Sequence, residues 1–331
     1  MTDNIRAIVA RDIDGRTRGT LEEIDALSLP AGDVTVDIAC STLNYKDGLA
    51  ITGKGKICRS LPMVCGIDLA GTVRESRSLE WQAGDRVLVN GFGLSERYWG
   101  GLAQRASLQA GWLVRIPAAF SAEQVMALGT AGYTAMLCVQ AITDHGVRPD
   151  AGPVLVTGAA GGVGSVAVML LSALGYKVTA LTGRVEETGE FLRGLGASEL
   201  LAREQLARDA KPLEAETWAA VVDTVGDKVL GAAIAQTRYE GIVAACGLAG
   251  GAGLPTTVMP FILRGVTLRG IDSVMASIPR RQHAWDRLAE LVDPAKLARI
   301  YRVEPLARAP ELAAELLAGK VQGRIVIDVN A

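Results

Sequence analysis

The sequence predicts an α/β protein: a doubly wound parallel sheet beside a mostly-β N-terminal domain that the C-terminal tail completes. Three observations predict it. The apolar run Val154-Leu155-Val156-Thr157 stops at a turn crowded with Gly158, Gly161, Gly162 and Gly164, which opens into an apolar helical stretch at 165–171. A second apolar run at 176–181 follows after one helix length and closes a βαβ unit. Before about Ser121 the chain shows short apolar runs broken by Gly, Pro and Asp turns, and after it helices alternate with strands.

In chain order, residues 6–10, 34–39 and 86–89 read as strands of the first region. Ser121 is placed to cap a helix start, a helix follows over 130–142, and Gly146 stops it after His145. Beyond the glycine turn come strands at 219–223, 241–246 and 266–271, with helices between them. A helix around 281–292, a strand at 300–303, a helix at 309–318 and a last strand at 323–328 end the chain. The expected division is residues 1–122 with 299–331 as one domain and 123–298 as the other.

Composition excludes several classes. The 331 residues carry a net charge of -2, so no strong field selects nucleic acid or an anionic membrane. Met1-Thr2-Asp3-Asn4 shows no basic-then-apolar leader, and no apolar stretch reads as long enough to span a bilayer, which points to a soluble cytoplasmic protein. The five cysteines are scattered and include no C-x-x-C pair, and the two histidines, His145 and His283, have no nucleophile beside them. Neither a disulfide framework, a structural zinc site nor a catalytic triad is expected.

The glycine turn carries the chemistry. Glycines let backbone approach a pyrophosphate, and a helix N-terminus supplies unpaired N–H groups and the positive end of its dipole. Ala160, Gly161, Gly162, Val163 and Gly164 are the expected cradle of a Rossmann-type dinucleotide site, although the spacing departs from strict G-x-G-x-x-G. The second strand ends at Thr182-Gly183-Arg184 where an NAD site carries an acid. A guanidinium suits a 2′-phosphate through its planar fork, so NADPH is the expected cofactor. Arg203 is a second candidate for that phosphate.

The whole chain resembles the medium-chain dehydrogenase/reductase superfamily. Gly66-Ile67-Asp68-Leu69-Ala70-Gly71-Thr72-Val73, the turn Gly84-Asp85-Arg86-Val87 and the tail Leu317-Ala318-Gly319-Lys320-Val321-Gln322-Gly323-Arg324 carry the likeness. It implies a GroES-like fold for the N-terminal catalytic domain. Zinc-bearing members place Cys and His-Glu where this chain has Leu43-Asn44-Tyr45-Lys46-Asp47 and Ile67-Asp68, so a zinc-free branch is implied. Asn44-Tyr45-Lys46-Asp47, Thr182-Gly183-Arg184 and Leu268-Arg269-Gly270-Ile271-Asp272-Ser273 look most like the acrylyl-CoA reductase group, which also includes quinone oxidoreductases.

The resemblance implies NADPH-dependent reduction of acryloyl-CoA to propionyl-CoA, with an acyl-CoA thioester as partner. It adds Leu248, Ile262, Ser273 and Tyr45 to the cofactor contacts, and implies a homodimer joined through a sheet edge at 268–271. Such a reduction needs hydride at the β-carbon, donors for the developing oxyanion and a proton for the α-carbon. Tyr45 is the side-chain candidate for the proton, with packing on the nicotinamide as its other reading. Asn44 is the candidate to position the cofactor or donate to the carbonyl. Lys46 and Asp47 read as an ion pair that fixes the loop. Arg59, Arg264, Arg280 and Arg281 are the basic residues to hand for CoA phosphates. A quinone reductase and a non-catalytic NADPH-binding sensor are the competing readings.

Overall fold

The computed structural model describes residues 3–331; Met1 and Thr2, part of the N-terminal stretch inspected above for a leader, lie outside the described residues. The chain forms two units. One comprises Met1–Thr130, Ser273–Ala289 and Tyr301–Ala331, the other Ala131–Asp272 and Glu290–Ile300.

The first unit is built on β-sheets. In the larger one the strands run Tyr301–Pro305, Arg324–Asp328, Val34–Thr42, Asp68–Ser76, Arg86–Asn90 and Val114–Arg115, with Arg105–Leu108 also paired to Val34–Thr42. A three-stranded sheet joins Arg16–Asp25, Asn4–Ile13 and Met63–Val64. Alternation sets the faces: Val34, Val36 and Ile38 are buried while Thr35 and Asp37 between them are not. The C-terminal strand completes this core, pairing Val326 with Thr42, Ile327 with Ser41 and Asp328 with Cys40.

The second unit holds a six-stranded parallel sheet in the order Glu199–Ala202, Val178–Thr182, Val154–Val156, Trp218–Asp223, Thr237–Ala245 and Thr267–Gly270. In chain order this is 3-2-1-4-5-6, the doubly wound arrangement. Both faces are covered, so the central strands are continuously apolar: Val154, Leu155, Val156, Ala220, Val221 and Val222 are all buried. The order of strand addition reverses between Val154–Val156 and Trp218–Asp223, and a crevice at the carboxyl ends of such parallel strands is where ligands bind. Glu199–Ala202 is the one strand of this sheet that the pattern does not reveal. It is a four-residue edge strand with half-exposed side chains, and it lacks the buried run of its neighbours.

The span Ala122–Asp144 is the one place among the described residues that tests the expectation of no uninterrupted membrane-length apolar stretch, and Gly129 interrupts it. Its 23 residues are long and apolar enough, but 89% of its most apolar window is buried inside the protein. The sequence expects a cap at Ser121 and a separate helix from 130, and the structure agrees: Gly129, at φ 51° and ψ −156°, is non-helical and divides the span into two helices. Ser121 and Gln124 cap its start reciprocally, at 3.1 and 2.9 Å. The segment Ser273–Ala289 groups with the first unit because Arg281 anchors it there. Its guanidinium donates to the Asn90 carbonyl at 2.6 Å and lies 4.0 Å from the Phe92 ring centroid.

Candidate active site

In the second unit, side chains brace the glycine turn and backbone lines it. Thr157 donates its hydroxyl to Asp223 Oδ1 at 2.7 Å and accepts from the Thr224 N–H at 3.0 Å. Thr224 returns its hydroxyl to the Thr157 carbonyl at 2.9 Å, and Asp223 Oδ2 accepts from the Gly226 N–H at 2.9 Å. These bonds tie the ends of the first and fourth strands together at the reversal of the sheet. Burial pushes the Asp223 carboxyl above its ordinary range, against the pull of Thr157 and two backbone donors.

At two positions of the cradle only glycine fits. Gly158 has φ +59°, and a Cβ there would lie 2.3 Å from Thr224 Oγ1. A Cβ on Gly164 would lie 2.4 Å from the Gly158 carbonyl oxygen. Helix Gly162–Ala173 starts from Gly161 with no side chain capping it, which leaves first-turn N–H groups for an anion. Ala160 is buried, and Gly161, Gly162 and Val163 are half-buried around the same opening. A dinucleotide pyrophosphate fits such a cradle.

The end of the next strand holds two arginines. Thr182 is buried and its hydroxyl accepts from the Arg184 N–H at 3.2 Å, while Thr188 donates to the Arg184 carbonyl at 2.6 Å. The parallel register that sets Thr182 beside Ala202 brings Arg203 to the same turn. A Cβ on Gly183 would be 3.0 Å from Arg203 Cζ. Arg203 reaches a carboxylate, Glu204, only at 3.9 Å, and its side chain is 56% exposed. Arg184 is half-buried. Together the two arginines fit a 2′-phosphate.

The other expected contacts are dispersed. Leu248 follows strand Thr237–Ala245 and is exposed. Ile262, in helix Met259–Arg264, is 71% exposed and so is not a core residue. Ser273 is half-buried in the first unit, where its carbonyl accepts from Arg281 at 3.0 Å.

In the first unit, Asn44 opens helix Tyr45–Thr52. Asp47 reaches back to the Asn44 N–H at 2.8 Å, and its other oxygen accepts from the Ile67 N–H at 2.9 Å. The Asn44 amide donates to Asp47 at 3.1 Å and to Asp68 at 2.9 Å, and its oxygen accepts from Arg324 at 3.2 Å. Asp68 also accepts from Asn90 and from the Thr130 N–H, both at 2.9 Å, and from the Thr130 hydroxyl. Arg324 donates further to Thr42, Ala127 and Leu43. Asn44, Asp47, Asp68, Asn90 and Arg324 are all buried. Burial, reinforced by Asp68, pushes Asp47 up to about 7, and burial pulls Arg324 down against both carboxylates.

This network corrects the expected Lys46–Asp47 ion pair. Lys46 instead pairs with Glu96 at 2.8 Å, because helix geometry turns it away from the buried face that Asp47 occupies. Asn44 has both amide hydrogens engaged, so its part in the loop is to hold it. Tyr45, the next residue, is 46% exposed. Asp68 and Arg324 lie in the two segments that carry the family resemblance, and both reach Asn44 although 24 and 280 residues separate them from it.

Zinc does not fit these residues. The oxygens of Asp47 and Asp68 are taken by N–H and O–H donors, and a guanidinium sits on the Asn44 oxygen. Two of the four arginines to hand for CoA phosphates are also committed elsewhere. Arg281 is 1% exposed and donates to four carbonyls, of Ala276, Asn90, Ser273 and Val274. Arg264 donates to the carbonyls of Ala235, Thr237 and Glu214. Arg280 is half-buried and Arg59 is exposed.

Residues 30–118 match the alcohol dehydrogenase GroES-like domain, and residues 162–293 match the zinc-binding dehydrogenase family. The chain is 51% identical over 326 residues to the probable acrylyl-CoA reductase AcuI of Escherichia coli, covering 98% of this chain and all of that one. It is 50% identical to the acrylyl-CoA reductase AcuI of Ruegeria pomeroyi, covering 96% of each. Among solved structures, the yhdH oxidoreductase from Salmonella enterica in complex with NADP superposes with a TM-score of 0.96 at 51% identity, covering 98% of this chain and 99% of that one. The chain therefore belongs to the medium-chain dehydrogenase/reductase superfamily, in the group that contains the AcuI acrylyl-CoA reductases.

Proposed function

We propose that the protein is an NADPH-dependent reductase of the carbon–carbon double bond of acryloyl-CoA, yielding propionyl-CoA. The observation that carries this reading is the full-length likeness to two AcuI proteins, together with a glycine cradle that ends at two arginines rather than at an acid. NADPH, when bound, supplies hydride to the β-carbon. Gly162 and Gly164 would hold its pyrophosphate by backbone N–H groups, the Gly161 N–H being spent on the Gly158 carbonyl at 2.9 Å, and Arg184 and Arg203 would hold its 2′-phosphate. Tyr45 gives the α-carbon its proton: its phenol ends in an O–H donor on a partly exposed arm. Asn44 positions that arm through Asp47, Asp68 and Arg324.

The working form proposed is a cytoplasmic homodimer. Strand Thr267–Gly270 ends the parallel sheet, which supports an edge-to-edge pairing of two copies.

The test is NADPH oxidation with acryloyl-CoA compared with a small quinone, each repeated with NADH. Preference for acryloyl-CoA and NADPH is expected; turnover of the quinone alone would replace this reading. Tyr45→Phe is expected to lower kcat about 10²- to 10⁴-fold with NADPH affinity retained. An unchanged kcat would remove Tyr45 from the proton transfer.

A further inference from the structure

Three cations meet at one carboxylate in the first unit. Glu96 accepts from Lys46 at 2.8 Å and lies 3.4 Å from Arg59 and 3.9 Å from Arg97. The Glu96 carboxyl is held below the ordinary glutamate range, first by the Lys46 hydrogen bond, so it stays charged. Three cations against one anion leave two positive charges unbalanced. The Arg59 and Arg97 side chains are 65% and 69% exposed, so their forks face water. Lys46 adjoins Tyr45 in the chain, which ties the cluster to the helix that carries the proposed proton donor.

A pocket of ≈ 200 Å³ opens beside it, lined by Tyr98, Trp99 and Trp112 among aromatic groups and by Arg97, Ser60 and Gln109 among polar ones. Tyr98 and Trp112 have centroids 4.8 Å apart, and Phe92 stacks behind Trp112 at 6.0 Å. The pocket is smaller than the ~300–1,000 Å³ that encloses a whole drug-sized ligand, so it suits one flat ring system with its charged tail outside. Aromatic faces bind bases by stacking, and arginine forks bind phosphates.

From the cluster and the pocket together we propose that this surface holds the nucleotide end of the CoA thioester, with phosphates on Arg59 and Arg97 and adenine against Tyr98 and Trp112. The proposal rests on the acyl-CoA reading above and names where that substrate is gripped. It also accounts for Arg264 and Arg281 being spent on carbonyls, since the phosphates have other partners.

The experiment compares acryloyl-CoA with acryloyl-N-acetylcysteamine, which carries the same acyl thioester and no nucleotide. The ratio of their kcat/KM values is measured for the wild type, for Arg59→Ala/Arg97→Ala and for Arg59→Lys/Arg97→Lys. The alanine pair is expected to lower the ratio at least about tenfold, mainly through the KM for acryloyl-CoA, and the lysine pair to restore much of it. The wild-type ratio should also fall with added salt. A ratio unchanged by the alanine pair overturns this site while leaving the reaction intact. Failure of the wild type to turn over acryloyl-CoA overturns the reaction and the site together.

Discussion

The turn at 158–164 and the loop at 44–47 solve opposite problems. The turn is made of backbone: its glycines leave room, and its helix start leaves N–H groups uncommitted. The loop is made of side chains, and its buried polar groups are matched donor to acceptor through Asp47, Asp68 and Arg324. The turn is open because a ligand must complete it. The loop is closed because its buried side chains satisfy one another and need no ligand to complete them. A backbone site fails when atoms are added, and a side-chain network fails when atoms are removed.

The sharpest way to break the contrast is to add atoms to the turn. Gly164→Val is expected to weaken NADPH binding by more than about 100-fold in a fluorescence titration, since its Cβ meets the Gly158 carbonyl at 2.4 Å and the first-turn donors are displaced together. Near-normal affinity would mean the cradle is looser than described. Removing atoms from the network comes next. Arg324→Leu leaves Asp47 and Asp68 buried without a counter-ion and is expected to cost about 3–5 kcal/mol of stability by urea unfolding. A loss below about 1 kcal/mol would show that the carboxylates need no guanidinium.

A smaller effect tests the rim of the turn. Arg203→Ala is expected to raise the KM for NADPH about tenfold while leaving that for NADH close to its starting value. Equal changes with both cofactors would place Arg203 away from the 2′-phosphate. The smallest effect is one of slope. Asp47 sits at about 7 in the fold against an ordinary value of 3.8, so the folded chain holds a proton there that the unfolded chain has released. Stability from this group is therefore full below about pH 3.8, falls as pH rises towards 7 and is level above. Asp47→Asn should flatten that fall when urea midpoints are compared at pH 5 and pH 8. Identical slopes in the two proteins would refute a proton on Asp47.

These contrasts explain what was legible in the sequence. The turn, its strand and its helix lie within about twenty residues, and each carries its own period, so pattern alone finds them. Arg203 was weakly legible, because its place depends on the register of the short edge strand Glu199–Ala202. The loop was hardly legible. Asn44 meets Asp68 across 24 residues and Arg324 across 280, and no local period encodes either meeting. Nearest-neighbour charge reasoning joined Lys46 to Asp47, whereas burial of Asp47 sends Lys46 to Glu96, 50 residues on. Arg281 reads as a surface cation because its partners are carbonyls, which leave no mark in a sequence.

The strand Arg324–Asp328 lies between Tyr301–Pro305 and Val34–Thr42 in the sheet of the first unit. During synthesis, therefore, a ribosome must deliver residues up to Asp328 before that sheet can close, and up to Arg324 before that side chain can reach Asn44. The parallel sheet of the second unit needs nothing beyond Gly270 for its strands. The sheet of the first unit is thus finished after that of the second, and until then the strand edge at Cys40–Thr42, beyond the part already paired with Arg105–Leu108, stays open to mispairing.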